Sequence, residues 1–180
     1  MKAVVTLSKT FFSMHPRKGQ ETGFKDKVTD GRKVHTCRSN YEYWRAKIEK
    51  ITATGGVLSV RQWSKKPYRS PQEVIADIPA GIVGVQKLEL RREQRVVSHY
   101  AEEQVKPIAT TTYYDYTAEV DGHPVPLEIL AVNDGLTVDE FKAWVAPVFE
   151  AAEKKYPELS SIATALTIDF AVIHFTKKRY

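Results

Sequence analysis

The chain opens on Ala3-Val4-Val5-Thr6-Leu7, an apolar and β-branched run whose length and composition predict a buried strand. Between Phe11 and Gly23 the breakers His15-Pro16, Gly19 and Thr22-Gly23 predict a loop. Phe24 and Val28, four apart, then predict a short helix over 22–29 that delivers the chain to an Asp30-Gly31 turn. Beyond that turn, Val34-His35-Thr36-Cys37-Arg38 reads as a short strand. Tyr41, Trp44, Ile48 and Ile51 recur at helical spacing, and Val57 to Trp63 alternates as a strand does. The breaker-rich stretch from Ser64 to Pro71 predicts a loop, and Gly81 to Leu90 a half-buried strand.

The second half reads less evenly. Residues 91–107 carry many charges and few large apolar groups, which predicts a loop. Thr110 to Val120 is rich in Thr and Tyr, Asp121-Gly122 is a hairpin turn, and Val125 to Val132 is expected to return as an edge strand because Pro124 and Pro126 cannot donate to a ladder. Thr137-Val138-Asp139-Glu140 is a capping box, with Leu136 and Phe141 spaced as a hydrophobic staple. The helix that follows presents Phe141, Trp144, Val145, Val148 and Phe149, and Pro147 is expected to kink or restart it. A last strand is expected at about 166–175, followed by the basic stretch Lys177-Lys178-Arg179.

Composition narrows the class. With 180 residues and 42% hydrophobic content, a single well-buried domain is expected. The formal net charge of +5 makes nucleic acid a reasonable partner without requiring one. The lone cysteine, Cys37, excludes an internal disulfide framework and suits a reducing cytoplasm. No apolar run reaches membrane-spanning length, so no membrane partner is expected. The five histidines lack metal-site spacing, and His35 with Cys37 supplies two ligands only. Phosphate loops and dinucleotide fingerprints are absent from the sequence too, so neither a metal nor a cofactor is expected.

Two constellations carry candidate chemistry. The first is Gly31-Arg32-Lys33 followed by Thr36 and Arg38, which resembles the G-x-K-x-x-T/E-x-R signature of ASCH domains. The Asn133-Asp134-Gly135-Leu136 turn and the final strand fall in that family's order. The resemblance implies a PUA-like mixed β-barrel with flanking helices, an α+β fold spanning 1–180 with an insertion at about 91–127 and a hairpin near 108–132. It also implies a cleft between the signature and the Asp134 turn. Small bacterial ASCH amidohydrolases that deacetylate N4-acetylcytidine are similar here, which implies Lys33, Thr36 and Asp134 as a catalytic triad. Their third residue is glutamate; aspartate is one methylene shorter. On a regular strand Lys33 and Thr36 point to opposite faces, so their meeting demands an irregular backbone near the turn. The plain alternative is a solvated lysine, an ordinary strand threonine and an aspartate that favours a helix N-terminus.

The second constellation interleaves cations with rings: Arg61, Trp63, Lys65, Lys66, Tyr68 and Arg69, with Arg38 and the tail Lys177 to Arg179 expected to extend the same positive surface. Cations that neutralise phosphate beside rings that stack on unpaired bases are what single-stranded nucleic acid binding needs. The plain alternative is a solvated loop whose rings fold inward. Binding of RNA or a nucleotide in a basic cleft is the leading expectation, and amidohydrolysis of an acylated nucleoside is the second.

Overall fold

The computed structural model describes residues 1–99, 109–156 and 165–180. The opening apolar run forms β1 (Lys2–Leu7), with Ala3, Val5 and Leu7 facing inward. After the loop come α1 (Phe24–Thr29) and β2 (His35–Ser39). Helix α2 (Tyr41–Ala53) is capped by the Asn40 side chain, which accepts from the Tyr43 amide, and buries Ile48 and Ile51. Strand β3 (Val57–Trp63) runs parallel to β1 and antiparallel to β4 (Gln72–Pro79). Together they make a three-stranded sheet in the order β1-β3-β4.

The second sheet is antiparallel, in the order β2-β8-β5-β6-β7. Its members are β5 (Gly84–His99), β6 (Ala109–Val120), β7 (His123–Val125) and β8 (Ala165–His174). The consecutive run Phe170 to His174 in β8 is buried, as expected of a central strand covered on both faces. Helix α2 contacts both sheets, while α3 (Leu127–Asn133) and α4 (Val138–Lys155) pack together.

The fold is therefore α+β, but among the described residues the strands form two sheets and no closed barrel. Where the free edges of β1 and β2 meet, the half-buried Arg38 side chain in β2 donates through Nη2 to the Thr6 carbonyl in β1 at 2.8 Å. A guanidinium fork thus bridges the two sheets.

Three expectations are corrected. Strand β4 was not foreseen: Pro71 just before it, Pro79 at its last position and the charges of Glu73 and Asp77 mask its alternation. Residues 91–99 are not loop but the outer half of β5. Through Glu93 it still pairs with β8 as well as β6, and Arg92 is buried there against Glu153. From Gln94 to His99 it pairs with β6 alone in a two-stranded ribbon whose β5 residues are all exposed, so it lacks the apolar alternation of a core strand. The rest of the expected loop, 100–107, lies outside the described residues. The return strand expected over Val125–Val132 stops at Val125. Pro126 ends the ladder and stands immediately before α3, where Leu127, Leu130 and Ala131 turn inward at helical spacing.

The expected capping box is present. Thr137 Oγ1 accepts from the Glu140 amide at 3.2 Å, and the Glu140 carboxylate accepts from the Thr137 amide at 2.9 Å. Helix α4 runs on through Pro147. Replacing Thr137 with alanine is expected to cost about 1 kcal/mol. Ile173→Ala, in a wholly buried position, should cost about 2–5 kcal/mol, and Val97→Ala on the wet ribbon less than about 0.5 kcal/mol, as urea unfolding would measure.

Candidate functional site

The residues before β2 are irregular, as the Lys33 hypothesis demanded: Lys33 and Val34 lie outside the ladder. The irregularity leads Lys33 to Asp134 rather than to Thr36. Gly31, at φ 79°, turns the chain out of α1, and the Lys33 amide donates to the Lys27 carbonyl at 2.7 Å. The following residue, Val34, donates its amide to the Asn133 carbonyl at 2.9 Å. Lys33 Nζ donates to both the carbonyl and the carboxylate of Asp134, and Lys27 Nζ donates to the Gly135 carbonyl at 2.7 Å. Three successive carbonyls at the end of α3 are thus served by one segment, two of them by ammonium groups placed where the helix dipole favours cations. Gly135 makes this approach possible, since it holds φ 76° and a side chain there would press on Lys33 Cβ at 3.3 Å.

The pair is closed off from solvent. The Lys33 and Asp134 side chains are 1% and 4% exposed, and Lys33 Nζ lies 4.2 Å from the centroid of the Phe24 ring. Loss of water lowers the Lys33 pKa, and Asp134 opposes that shift. Thr36 is buried as well, and its hydroxyl accepts from Arg38 Nη1 at 2.9 Å. Among the described residues it makes no hydrogen bond to Lys33 or Asp134. The structure therefore joins two members of the expected triad and gives the third to Arg38.

Asp134 adds a third donor to the pair His35 and Cys37, with potential ligand atoms within 4.8 Å of one another. The Lys33 ammonium already supplies the cation at this carboxylate, and burial pushes the Cys37 thiol up, both of which disfavour a metal thiolate. Behind the cluster, Tyr180 Oη meets His35 Nε2 at 2.8 Å and receives Asn133 Nδ2 at 2.8 Å. His174 packs against both rings, and neither of its ring nitrogens has a protein partner among the described residues. No sequence pattern announced this His35, His174 and Tyr180 cluster, because its members lie far apart in the chain.

The basic and aromatic constellation separates into two groups. Arg38 is occupied inside the fold, with donors on Thr36, the Cys37 carbonyl and the Thr6 carbonyl. Half-buried Arg61 holds Ser59 Oγ at 2.9 Å and Gln72 Oε1 at 3.4 Å. Lys65, Lys66, Tyr68 and Arg69 are exposed on the β3–β4 loop. Tyr68 is 89% exposed and holds φ 62°, a left-handed backbone costly for an aromatic residue, with its ring 5.2 Å from that of Trp63. Beside Trp63 runs an open cleft of about 440 Å³, lined by Lys9, Thr10, Ser64, Lys65 and Lys66 among others. Lys9 was not anticipated, since it lies far away in sequence.

No protein-family model, curated protein or solved structure matches this chain. Among the described residues no helix is long and apolar enough to cross a membrane.

The histidine cluster generates a pH prediction. Burial, helped by the neighbouring His35, lowers the His174 pKa from 6.5 to about 3. Between those values the unfolded chain binds the proton and the folded chain does not, so stability should fall as pH drops from 6.5 toward 3. The contribution of this side chain is on the order of a few kcal/mol. Unfolding midpoints measured across that range should show a shallower acid decline in His174→Phe than in the parent protein.

Proposed function

We propose that the chain binds RNA or a nucleotide on the surface formed by Trp63, the exposed β3–β4 loop and Lys9. The observation that carries this reading is Tyr68. A ring left almost wholly in water on a left-handed backbone does nothing for the core, yet it stands beside Trp63, the ring shared by the lysine-lined cleft and the adjoining uncharged cleft that Tyr68 lines. Rings of this kind offer a stacking face to unpaired bases, and the lysines offer charge to phosphates. Lys9, Lys65 and Lys66 have no carboxylate within ion-pair distance among the described residues, so folding leaves their charge unpaired, although Lys9 Nζ also donates to the Ser64 carbonyl at 3.3 Å.

We also propose that the fold is a PUA-like ASCH variant. The Gly31, Lys33, Thr36 and Arg38 pattern at a helix-to-strand junction, opposed by the Asp134 turn, supports that assignment. On this reading ligand binding has moved away from the closed Lys33 and Asp134 pair to the neighbouring loop surface.

A second reading, amidohydrolysis of an acylated nucleoside, is favoured by the direct contact of Lys33 with Asp134 and by the lowered Lys33 pKa. It requires the Asp134 turn to withdraw so that Thr36 and substrate can reach Lys33. Incubation with N4-acetylcytidine tests it: cytidine release that disappears in Thr36→Val and Lys33→Ala would establish it, and no release from folded protein would end it.

For the leading reading, titration of single-stranded RNA at several salt concentrations should give affinity that falls steeply with salt. Lys65→Ala and Lys66→Ala should each reduce the salt slope by about 1. Tyr68→Ala should weaken binding about tenfold with little change in slope. Salt-independent binding, or binding indifferent to all three changes, would refute it.

A further inference from the structure

Two clefts meet at Trp63, and their chemistry differs. The cleft of about 440 Å³ is cationic through Lys9, Lys65 and Lys66. The second, of about 350 Å³, is lined by Thr6, Leu7, Tyr68 and Gln72 and contains no charged side chain. Ser8, Trp63 and Pro67 line both, so the two form one continuous surface with Trp63 as the divide.

The uncharged half has a defined hydrogen-bonding polarity. Arg61 possesses only donors, so the Gln72 amide must turn its oxygen toward Arg61 Nη1, at 3.4 Å. Arg61 is itself steadied by Ser59 Oγ at 2.9 Å. The Gln72 amino group consequently faces the other way, toward Thr6 Oγ1 at 3.5 Å, the outer limit of a hydrogen bond. Gln72 therefore brings to this cleft a weakly engaged N–H donor, directed by the arginine behind it. Its natural complement is a carbonyl oxygen carried on a flat ring stacked against Tyr68 or Trp63.

Resting on the nucleic-acid reading above, we propose that this surface is a two-part nucleotide site. The cationic cleft receives a phosphate on Lys9, Lys65 and Lys66. The uncharged cleft receives the attached base, stacked on Tyr68 or Trp63 and read through a ring carbonyl by Gln72 Nε2. The ligand class is a phosphorylated nucleoside, free or as one unit of an RNA strand, whose base bears a carbonyl. Uracil, cytosine and guanine meet that condition, and adenine does not. Gln72 and Thr6 determine specificity, and the lysines determine affinity for phosphate.

Calorimetric titration of the full chain with UMP, uridine and AMP, at low and moderate salt, tests the division. UMP should bind roughly tenfold more tightly than uridine at low salt, with the gap narrowing as salt rises. It should bind roughly fivefold to tenfold more tightly than AMP. Lys65→Gln with Lys66→Gln should shrink the UMP to uridine gap and leave the base preference. Gln72→Leu should remove the base preference and leave the phosphate advantage. Circular dichroism would establish that each variant is folded, and Gln72→Met offers a second variant of similar length.

If UMP and uridine bind equally, or the preference over AMP survives both Gln72 variants, the division is wrong. Salt-dependent binding of single-stranded RNA in that same sample would show that the broader nucleic-acid reading still stands. RNA binding without any mononucleotide binding also overturns the two-part site. Absence of binding to both RNA and mononucleotides overturns the two readings together.

Discussion

Three successive carbonyls at the end of α3, those of Asn133, Asp134 and Gly135, have to be satisfied away from bulk water, and segment 27–34 satisfies them. Much else follows from that constraint. It fixes Lys33 outside the β2 ladder, closes the Asp134 carboxylate with an ammonium, and sets where β2 begins. Breaking one partner of such a buried pair leaves an uncompensated charge, a loss of about 3–5 kcal/mol. The pair is first a clamp between the α1–β2 link and the α3–α4 turn. Any chemistry at Lys33 has to be performed by a residue that also holds the fold together.

Arg38 extends the clamp to the other sheet. Its fork takes the Thr36 hydroxyl and the Cys37 carbonyl on its own strand and the Thr6 carbonyl on β1. Thr6 also lines the uncharged cleft beside Trp63. The signature-like residues and the loop surface are therefore mechanically adjacent although one is closed and the other open. This geometry separates two groups that the sequence pattern suggests together: a buried polar network that organises the sheet edges, and an exposed surface whose lysines stand outside any ion pair among the described residues and whose Tyr68 ring faces solvent.

Sequence reading succeeded where local rules decide. The Thr137 capping box, the Asp121-Gly122 hairpin, the α2 stripe and the apolar runs of β1, β3 and β8 each carry their own signal. It failed where tertiary context decides. The end of β5 beyond Glu93 has no core to alternate against, β4 alternates only weakly and ends on Pro79, and Pro126 converts an expected strand into the start of a helix. At the candidate sites, Lys33, Asp134, Trp63 and Tyr68 were legible as residue types. The destination of Lys33, the internal use of Arg38, and the placement of Lys9, Thr6 and Gln72 beside Trp63 depend on contacts between distant segments. No local period encodes those.

The central claim is that a nucleic-acid ligand meets the protein at Trp63 rather than at Lys33. The chain has three tryptophans, Trp44, Trp63 and Trp144, so the indole N–H region of a nitrogen-15 correlation spectrum supplies three probes. Titration with a short single-stranded oligonucleotide should shift the Trp63 indole and the Lys65 to Arg69 amides and leave the amides of Thr36 and Asp134 in place. Shifts centred on Thr36 and Asp134 with Trp63 unmoved would contradict the account and return the function to the buried pair.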